Sequence, residues 1–249
     1  MTGLRQVAGS GLIYGNGLMA RKLFSGAAAG LFLTAVVIEA FAGSIAGEVR
    51  FIDAPPQLRP VAVSKDQDYC GETLPNEVYL IDPGGGLKNV VVFIEGAPIS
   101  EANPQRENML ENTGCRYAPR VMAMQRGERL RVKNNDPKLH IPHSYLEQRT
   151  IFNLSLPFRG TTIEATQKIR QPGILKVLCD THAWMLAYIH VFDHPFFAVT
   201  GERGQFFIPN LPAGSYILTA WHEDAEIRSQ EITVPQNGEV RADFEFTRQ

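Results

Sequence analysis

The chain has 249 residues, with 24 basic and 26 acidic side chains and a formal charge of −2. That length suffices for one large or two small domains with a sizeable core, and so nearly neutral a charge argues against a nucleic-acid partner. Sixteen prolines, 22 glycines and many short β-branched runs point to a β-rich fold.

The first element is an export signal. Arg21 and Lys22 precede an apolar run from Leu23 to Ile38. Ala40-Phe41-Ala42 then offers a small-x-small cleavage signal, and Ser44-Ile45-Ala46 a second. This is the three-part pattern of a secretory signal peptide, assigned to residues 1–42. An uncleaved anchor is the alternative and would be the one membrane contact, but a run of about 15 residues is short for a span that needs roughly 20. Met19-Ala20-Arg21-Lys22 makes Met19 a candidate start. Removing 1–42 takes away Arg5, Arg21, Lys22 and Glu39, leaving 21 basic and 25 acidic residues.

Export to a periplasmic, oxidising compartment favours cysteine pairing and leaves one of three thiols over. Cys70 and Cys115 lie in polar, turn-like contexts, Tyr69-Cys70-Gly71 and Thr113-Gly114-Cys115, and are predicted to form a disulfide. Cys179 is then the odd one. A lone thiol in such a compartment oxidises unless it is buried or bound to metal.

Gly47 to Phe51 alternates, and Pro60 to Val63 follows a proline-rich break. Both read as short strands, as does Val78 to Ile81. Asp82-Pro83-Gly84-Gly85-Gly86 is a strong turn signal and is taken as a domain boundary. Asn89 to Ile94 is a continuous apolar run, the pattern of a strand covered on both faces. Residues 97–114 are polar and weakly periodic, and read as a long loop with at most a short helix around Glu107 to Leu110. Strands follow at Val121 to Met124, Arg129 to Lys133, Phe152 to Leu156, Thr161 to Glu164, Ile174 to Leu178 and Ala187 to Phe192. From Ala198 the tail alternates again, ending with Ile217 to Trp221, Ile232 to Val234 and Arg241 to Phe246. Short strands separated by turns indicate an all-β sandwich or barrel.

The stretch Cys179-Asp180-Thr181-His182-Ala183-Trp184-Met185 carries three metal donors at three-residue intervals. Cys179 stands where a strand runs out, and the residues after it must turn the chain. The thiol, the imidazole of His182 and the thioether of Met185 therefore crowd into one loop. Thiolate and thioether favour copper, and a Cys/His/His set with a weak axial Met is the blue-copper arrangement. Cys-x2-His spacing alone also suits zinc, for which Met is a poor ligand. Upstream, Asn134-Asn135-Asp136-Pro137 is a turn followed by His140 and His143. His140 is the candidate fourth ligand. His143 is read as a structural histidine, with ligation in place of His140 the alternative. His190, His194 and His222 lie outside the loop. Asp193-His194 and His222-Glu223 suggest carboxylate–histidine hydrogen bonds between modules, with a second metal site the alternative.

Over 130–185 the sequence resembles the cupredoxins, the small blue-copper proteins. Asn134-Asn135 followed by His140 looks like the asparagine-containing turn before that family's first histidine ligand. The segment Cys179 to Met185 is similar to the short C-x2-H-x2-M ligand loop of the amicyanins. The resemblance implies one type 1 copper held by His140, Cys179, His182 and Met185, in a Greek-key β-sandwich over roughly Leu87 to Asp193. It also implies that His182, in an exposed turn, is the electron port. Trp184 and Leu186 would offer an apolar contact surface, unless Trp184 is plain core. Ile141 departs from the pattern, because the family usually has there an asparagine that ties the two ligand loops together; Pro142 would be what stiffens them here.

The tail, through Gly204-Gln205-Phe206 and Leu211-Pro212-Ala213-Gly214-Ser215-Tyr216, resembles the carboxypeptidase regulatory-like (prealbumin-like) β-sandwich. The first strands of that module are missing from the tail but resemble Gly47 to Val63, which implies that the copper domain is inserted into it. The expected division is a signal peptide over 1–42, N-terminal strands over 43–86 that join the C-terminal module, a cupredoxin-like copper domain over 87–193, and the β module over 194–249. The expected function is periplasmic single-electron transfer between redox partners, without enzymatic activity, and a c-type cytochrome is the partner class the resemblance implies. Two other classes stay open: an exported β-sandwich binding or scaffold protein whose loop is structural, and a copper storage or delivery protein.

Overall fold

The computed structural model describes residues 42–248. The signal peptide read over 1–42 lies outside the described residues, apart from Ala42, where the first strand begins. Ile45, inside the second candidate cleavage signal, is fully buried in that strand. No helix among the described residues is long and apolar enough to cross a membrane.

The chain opens with β1 (Ala42–Phe51), β2 (Val61–Ala62), the one-turn helix α1 (Gln67–Cys70), β3 (Thr73–Leu74) and β4 (Val91–Ile94). A run of strands follows: β5 (Glu107–Thr113), β6 (Arg116–Ala118), β7 (Val121–Gln125), β8 (Arg129–Asn134), β9 (Pro142–Leu146), β10 (Arg149–Asn153), β11 (Thr162–Glu164), β12 (Gly173–Cys179) and β13 (Leu186–Phe192). The tail holds β14 (Phe197–Val199), β15 (Gln205–Pro212), β16 (Gly214–Trp221), β17 (Arg228–Val234), β18 (Glu239–Arg241) and β19 (Phe244–Phe246). The all-β expectation is met.

Two sandwiches result. In the first, a sheet ordered β10-β9-β12-β13-β7 packs with one ordered β11-β8-β5-β6, and their alternating inward residues, among them Leu110, Leu130, Val132, Leu175 and Ile189, form one core. In the second, β15-β1-β18 packs with β14-β4-β16-β17, and β19 also pairs with β1. Ile45, Val92, Ile94, Ile208 and Phe246 fill that core.

β1 pairs antiparallel with β15 and parallel with β18 and β19, so a strand from ahead of the first sandwich is built into the second. Gly204 lets the hairpin before β15 come this close: its φ is +76, and a Cβ there would stand 2.1 Å from the Val49 carbonyl oxygen, room that only glycine leaves. β2 does not join; it pairs with β3 alone among the described strands. β4, read from sequence as the opening strand of 87–193, instead lies between β14 and β16. Central pairing explains its unbroken apolar run, since a strand with neighbours on both sides and cover on both faces has no polar side to show. The first sandwich is thus inserted between β4 and β14 of the second.

Two sequence expectations fail locally. Residues 107–113 are neither loop nor helix but β5, parallel to β8 in the register Glu107↔Arg129 to Asn112↔Asn134. The period of two is disguised because a buried position is taken by Asn112, whose Nδ2 donates to the Lys133 carbonyl at 3.0 Å. Val78–Ile81 is not a strand: Ile81 makes one bridge to Leu87 across a turn in which Asp82 Oδ1 accepts the Gly86 N–H at 2.6 Å.

The sandwiches meet along β13. Trp221 lies against Tyr188 and His190, with ring centroids 5.2 and 4.3 Å apart, and Phe93 against Phe192 at 5.0 Å. Arg120 forks onto Glu223 at 2.6 and 2.7 Å. The expected carboxylate–histidine bonds are absent among the described contacts. His222 Nε2–H donates to the Val78 carbonyl at 3.0 Å, and His194 Nδ1 accepts the Phe196 N–H at 3.2 Å. His190 Nε2 has no partner, and burial pushes the His190 pKa down to about 3. These rings are neutral aromatic packing, which a carboxylate neighbour would have charged.

Candidate metal centre

Two segments converge at one end of the first sandwich. Asn134, fully buried at the end of β8, accepts the Asp136 N–H at 2.8 Å and donates to the carbonyls of Lys138 and Leu156 at 2.8 and 2.9 Å. This side-chain turn, the local device that asparagine favours, aims His140 inward. Cys179 is the last residue of β12, opposite Pro142 of β9. The Asp180 N–H donates to the Ile141 carbonyl at 3.0 Å, which stitches the segments together. The chain then turns through His182, whose carbonyl accepts the Met185 N–H at 2.9 Å.

The result is a triangle of donor atoms. Cys179 Sγ stands 3.9 Å from His140 Nδ1 and 3.8 Å from His182 Nδ1, and the two nitrogens are 3.0 Å apart. A point equidistant from atoms with these spacings lies about 2.1 Å from each, a metal–ligand distance for nitrogen and close to that for sulfur. All three residues are buried. Met185 is buried in the same core as Cys179 and lines a cavity of about 120 Å³ with Trp184 and Tyr117.

Each imidazole also has a carboxylate on its far side. His140 Nε2 is 3.0 Å from Asp136 Oδ2, and His182 Nε2 is 3.0 Å from Asp66 Oδ2. Ionised carboxylates only accept hydrogen bonds, so each Nε2 carries a proton and Nδ1 is the atom each ring turns to the triangle. Between two nitrogens 3.0 Å apart and beside a sulfur there is a place for one cation: a proton on His140, whose pKa burial works to lower but Asp136 and Cys179 raise, or a metal in its stead. The donor set therefore fits a metal, and the sulfur selects a soft one.

The thiol is prepared for that role. Burial alone would raise the Cys179 pKa, but the imidazoles and the Ile141 N–H pull it down to about 5. Thr181 also closes the gap left by Ile141: its hydroxyl donates to the Leu139 carbonyl at 3.0 Å and touches Cys179 Sγ at 3.1 Å. The two ligand segments are thus tied by Thr181 and the backbone, not by an asparagine.

Asp136 is 1 % exposed. Burial works to raise its pKa, but His140, the N–H groups of Cys115 and Gly114, and the Tyr69 hydroxyl outweigh it and hold the carboxyl at about 2. The folded value lies below the ordinary 3.8, so the stabilisation is full above that pH and is lost as pH falls toward 2. It is on the order of 2 kcal/mol. Asp136→Asn is expected to flatten the fall in urea midpoint of the metal-free protein between pH 4 and pH 2.

One site expectation is corrected, and two open ones are decided. His182 is not an exposed electron port: it is 0 % exposed, covered by Asp66 and the segment that carries it. Trp184 is a half-buried packing residue, with its Nε1–H donated to the Cys115 carbonyl at 3.0 Å and its ring 5.0 Å from that of His182. His143 is not in the triangle. It sits on β9 with its Nδ1 beside Asp180 at 3.1 Å, Tyr145 and Asn153, and its Nε2 beside Thr150; strand alternation turns it to the face away from His140. Sequence reading missed Asp66, Asp136 and Thr181. Asp136 was visible only as a turn former, Thr181 only as loop filler, and Asp66 lies far upstream in a polar stretch with no local signal.

No family model matches the chain, and no curated protein matches it. Among solved structures, the purple cupredoxin of Nitrosopumilus maritimus is 22% identical over 34% of this chain and 98% of its own, with a TM-score of 0.30. Amicyanin of Paracoccus versutus is 11% identical over 41% and 97%, with a TM-score of 0.31. The copper-containing nitrite reductase of Thermus scotoductus SA-01 is 19% identical over 39% of this chain, with a TM-score of 0.30, and the match spans only 24% of the reductase. Likeness of this degree assigns no function.

Proposed function

We propose that the protein is an exported, copper-binding electron carrier of the cupredoxin type, in which His140, Cys179 and His182, with Met185 as a fourth donor, would hold one type 1 copper. The observation that carries this reading is the triangle of Sγ and two Nδ1 atoms, close enough together for one metal ion to meet all three. When bound there, copper supplies a one-electron couple. The chain's residues supply the rest. Cys179 at a strand end and His140 under a buried asparagine turn hold the donors in place, so that little rearrangement accompanies a change of metal charge. Surrounding core residues exclude water. The partner would be a redox protein, a c-type cytochrome by the resemblance, met in the periplasm, and no catalysis is required of the chain itself.

Storage or delivery of copper uses similar donors but needs loose binding. Voltammetry of the copper-loaded protein separates the two: a carrier gives a reversible one-electron wave that survives repeated cycling, whereas a storage protein gives no reversible wave and releases its metal. An exported scaffold protein with a merely structural loop would hold no copper at all.

A further inference from the structure

The segment between β2 and β3 is absent from the plan of either sandwich, yet it ends on the metal centre. Asp66 sits there in a left-handed conformation with φ 56, and its carbonyl accepts the N–H groups of Tyr69 and Cys70 at 3.0 and 2.9 Å. The disulfide Cys70–Cys115 fastens this turn to the first sandwich. The fastening joins the two carboxylates. Cys115 N–H donates to Asp136 Oδ2 at 2.9 Å, and Tyr69, on the same turn as Asp66, donates its hydroxyl to Asp136 Oδ1 at 3.0 Å. Lys138 Nζ lies 3.4 Å from Asp66 and 2.7 Å from Asp68, so one positive charge stands against this group of acids.

Resting on the copper reading above, we infer that Asp66 and Asp136 are positioning residues that jointly strengthen both ligand imidazoles as electron donors and bias the bound copper toward its more oxidised state. A carboxylate on Nε2–H fixes the ring's tautomer and orientation and raises its basicity. A more basic imidazole and nearby negative charge stabilise a doubly charged metal more than a singly charged one. Asp66 differs from Asp136 in origin, since it is brought by a cover that also closes the His182 edge to solvent. The geometry thus assigns two jobs to one disulfide-held turn, tuning and shielding.

The test is Asp66→Asn in the full exported chain, which keeps the shape and removes the charge. Loss of an outer partner typically costs about 10–100-fold in metal affinity. The loss is expected to fall more on Cu(II) than on Cu(I), and each tenfold of bias is a rise in reduction potential of about 59 mV. Asp68→Asn is the control: it lies on the same turn, is bonded to Lys138, and touches neither imidazole. A second readout needs no copper. In the metal-free, ¹⁵N-histidine-labelled protein, the His182 Nε2–H proton is expected downfield, as befits a carboxylate bond, and moves upfield in Asp66→Asn but not in Asp68→Asn. An unchanged potential in copper-loaded Asp66→Asn, an equal rise in Asp68→Asn, or an unmoved His182 proton would overturn the inference. Wild-type protein that takes up no Cu(II) through Cys179 would instead sink the copper reading, while a shifted proton in the same samples would show the Asp66–His182 bond to be real without it.

Discussion

Cys179→Ser is expected to abolish thiolate-to-copper charge-transfer absorption and to weaken Cu(II) binding by more than the ~10–100-fold that loss of an outer partner costs. The hydroxyl is nearly isosteric, and its oxygen can still accept the Ile141 N–H that now meets Sγ at 3.4 Å. It does not ionise as a thiol held at about 5 does, so the site loses its soft anionic donor while keeping two imidazoles. The fold should survive. The urea midpoint of the metal-free variant is expected to correspond to a change within ~1 kcal/mol, because the strand ladder that ends at Cys179 does not depend on its sulfur. Retained visible absorption in this variant would show that the sulfur is not a ligand.

Glu223→Ala is expected to have the largest effect on stability of any single change between the sandwiches. The Arg120 and Glu223 side chains are 14 and 4 % exposed, and Glu223 overcomes the tendency of burial to lower the Arg120 pKa and raises it instead. Removing one partner of a buried pair strands the other charge and costs about 3–5 kcal/mol. For a chain of this size that is a fall in Tm of roughly 6–20 °C, at about 2–4 °C per kcal/mol. The double change Arg120→Met with Glu223→Leu is expected to recover much of the loss, since it leaves no charge unpaired. Glu202, 80 % exposed beside Lys88, is the comparison: Glu202→Ala should cost at most about 1 kcal/mol. Equal losses for the two variants would mean that Arg120–Glu223 does not clamp the sandwiches.

What could be read from the sequence follows how local each signal is. Cys179, His182 and Met185 lie in seven consecutive residues, so their spacing alone announces a soft-donor loop. His140 was legible because the turn at Asn134 leads directly into it. The disulfide Cys70–Cys115 was legible from the polar, turn-like contexts of its two cysteines. The reading that Gly47 to Val63 belongs with the tail rested on a resemblance and on no local signal; β1 pairs with β15, whereas β2 pairs with β3. β4 was misplaced because a doubly covered strand looks the same in any sheet. β5 was missed because its parallel partner begins 22 positions downstream, in the register Glu107↔Arg129, and because Asn112 fills an inward position. Asp66 was invisible for a different reason. Its partner His182 is 116 residues away, and nothing in the polar run around it marks one acid as bonded to an imidazole. The exposed-port expectation for His182 failed with it, since the cover that hides the ring comes from outside the resembled segment.

X-ray absorption at the copper edge of the Cu(II)-loaded protein tests the triangle itself. One close sulfur and two imidazole nitrogens per copper, at a stoichiometry of one, is the expected shell. A shell of nitrogen and oxygen alone, or copper bound equally well by the chain lacking the Cys179 thiol, would contradict it.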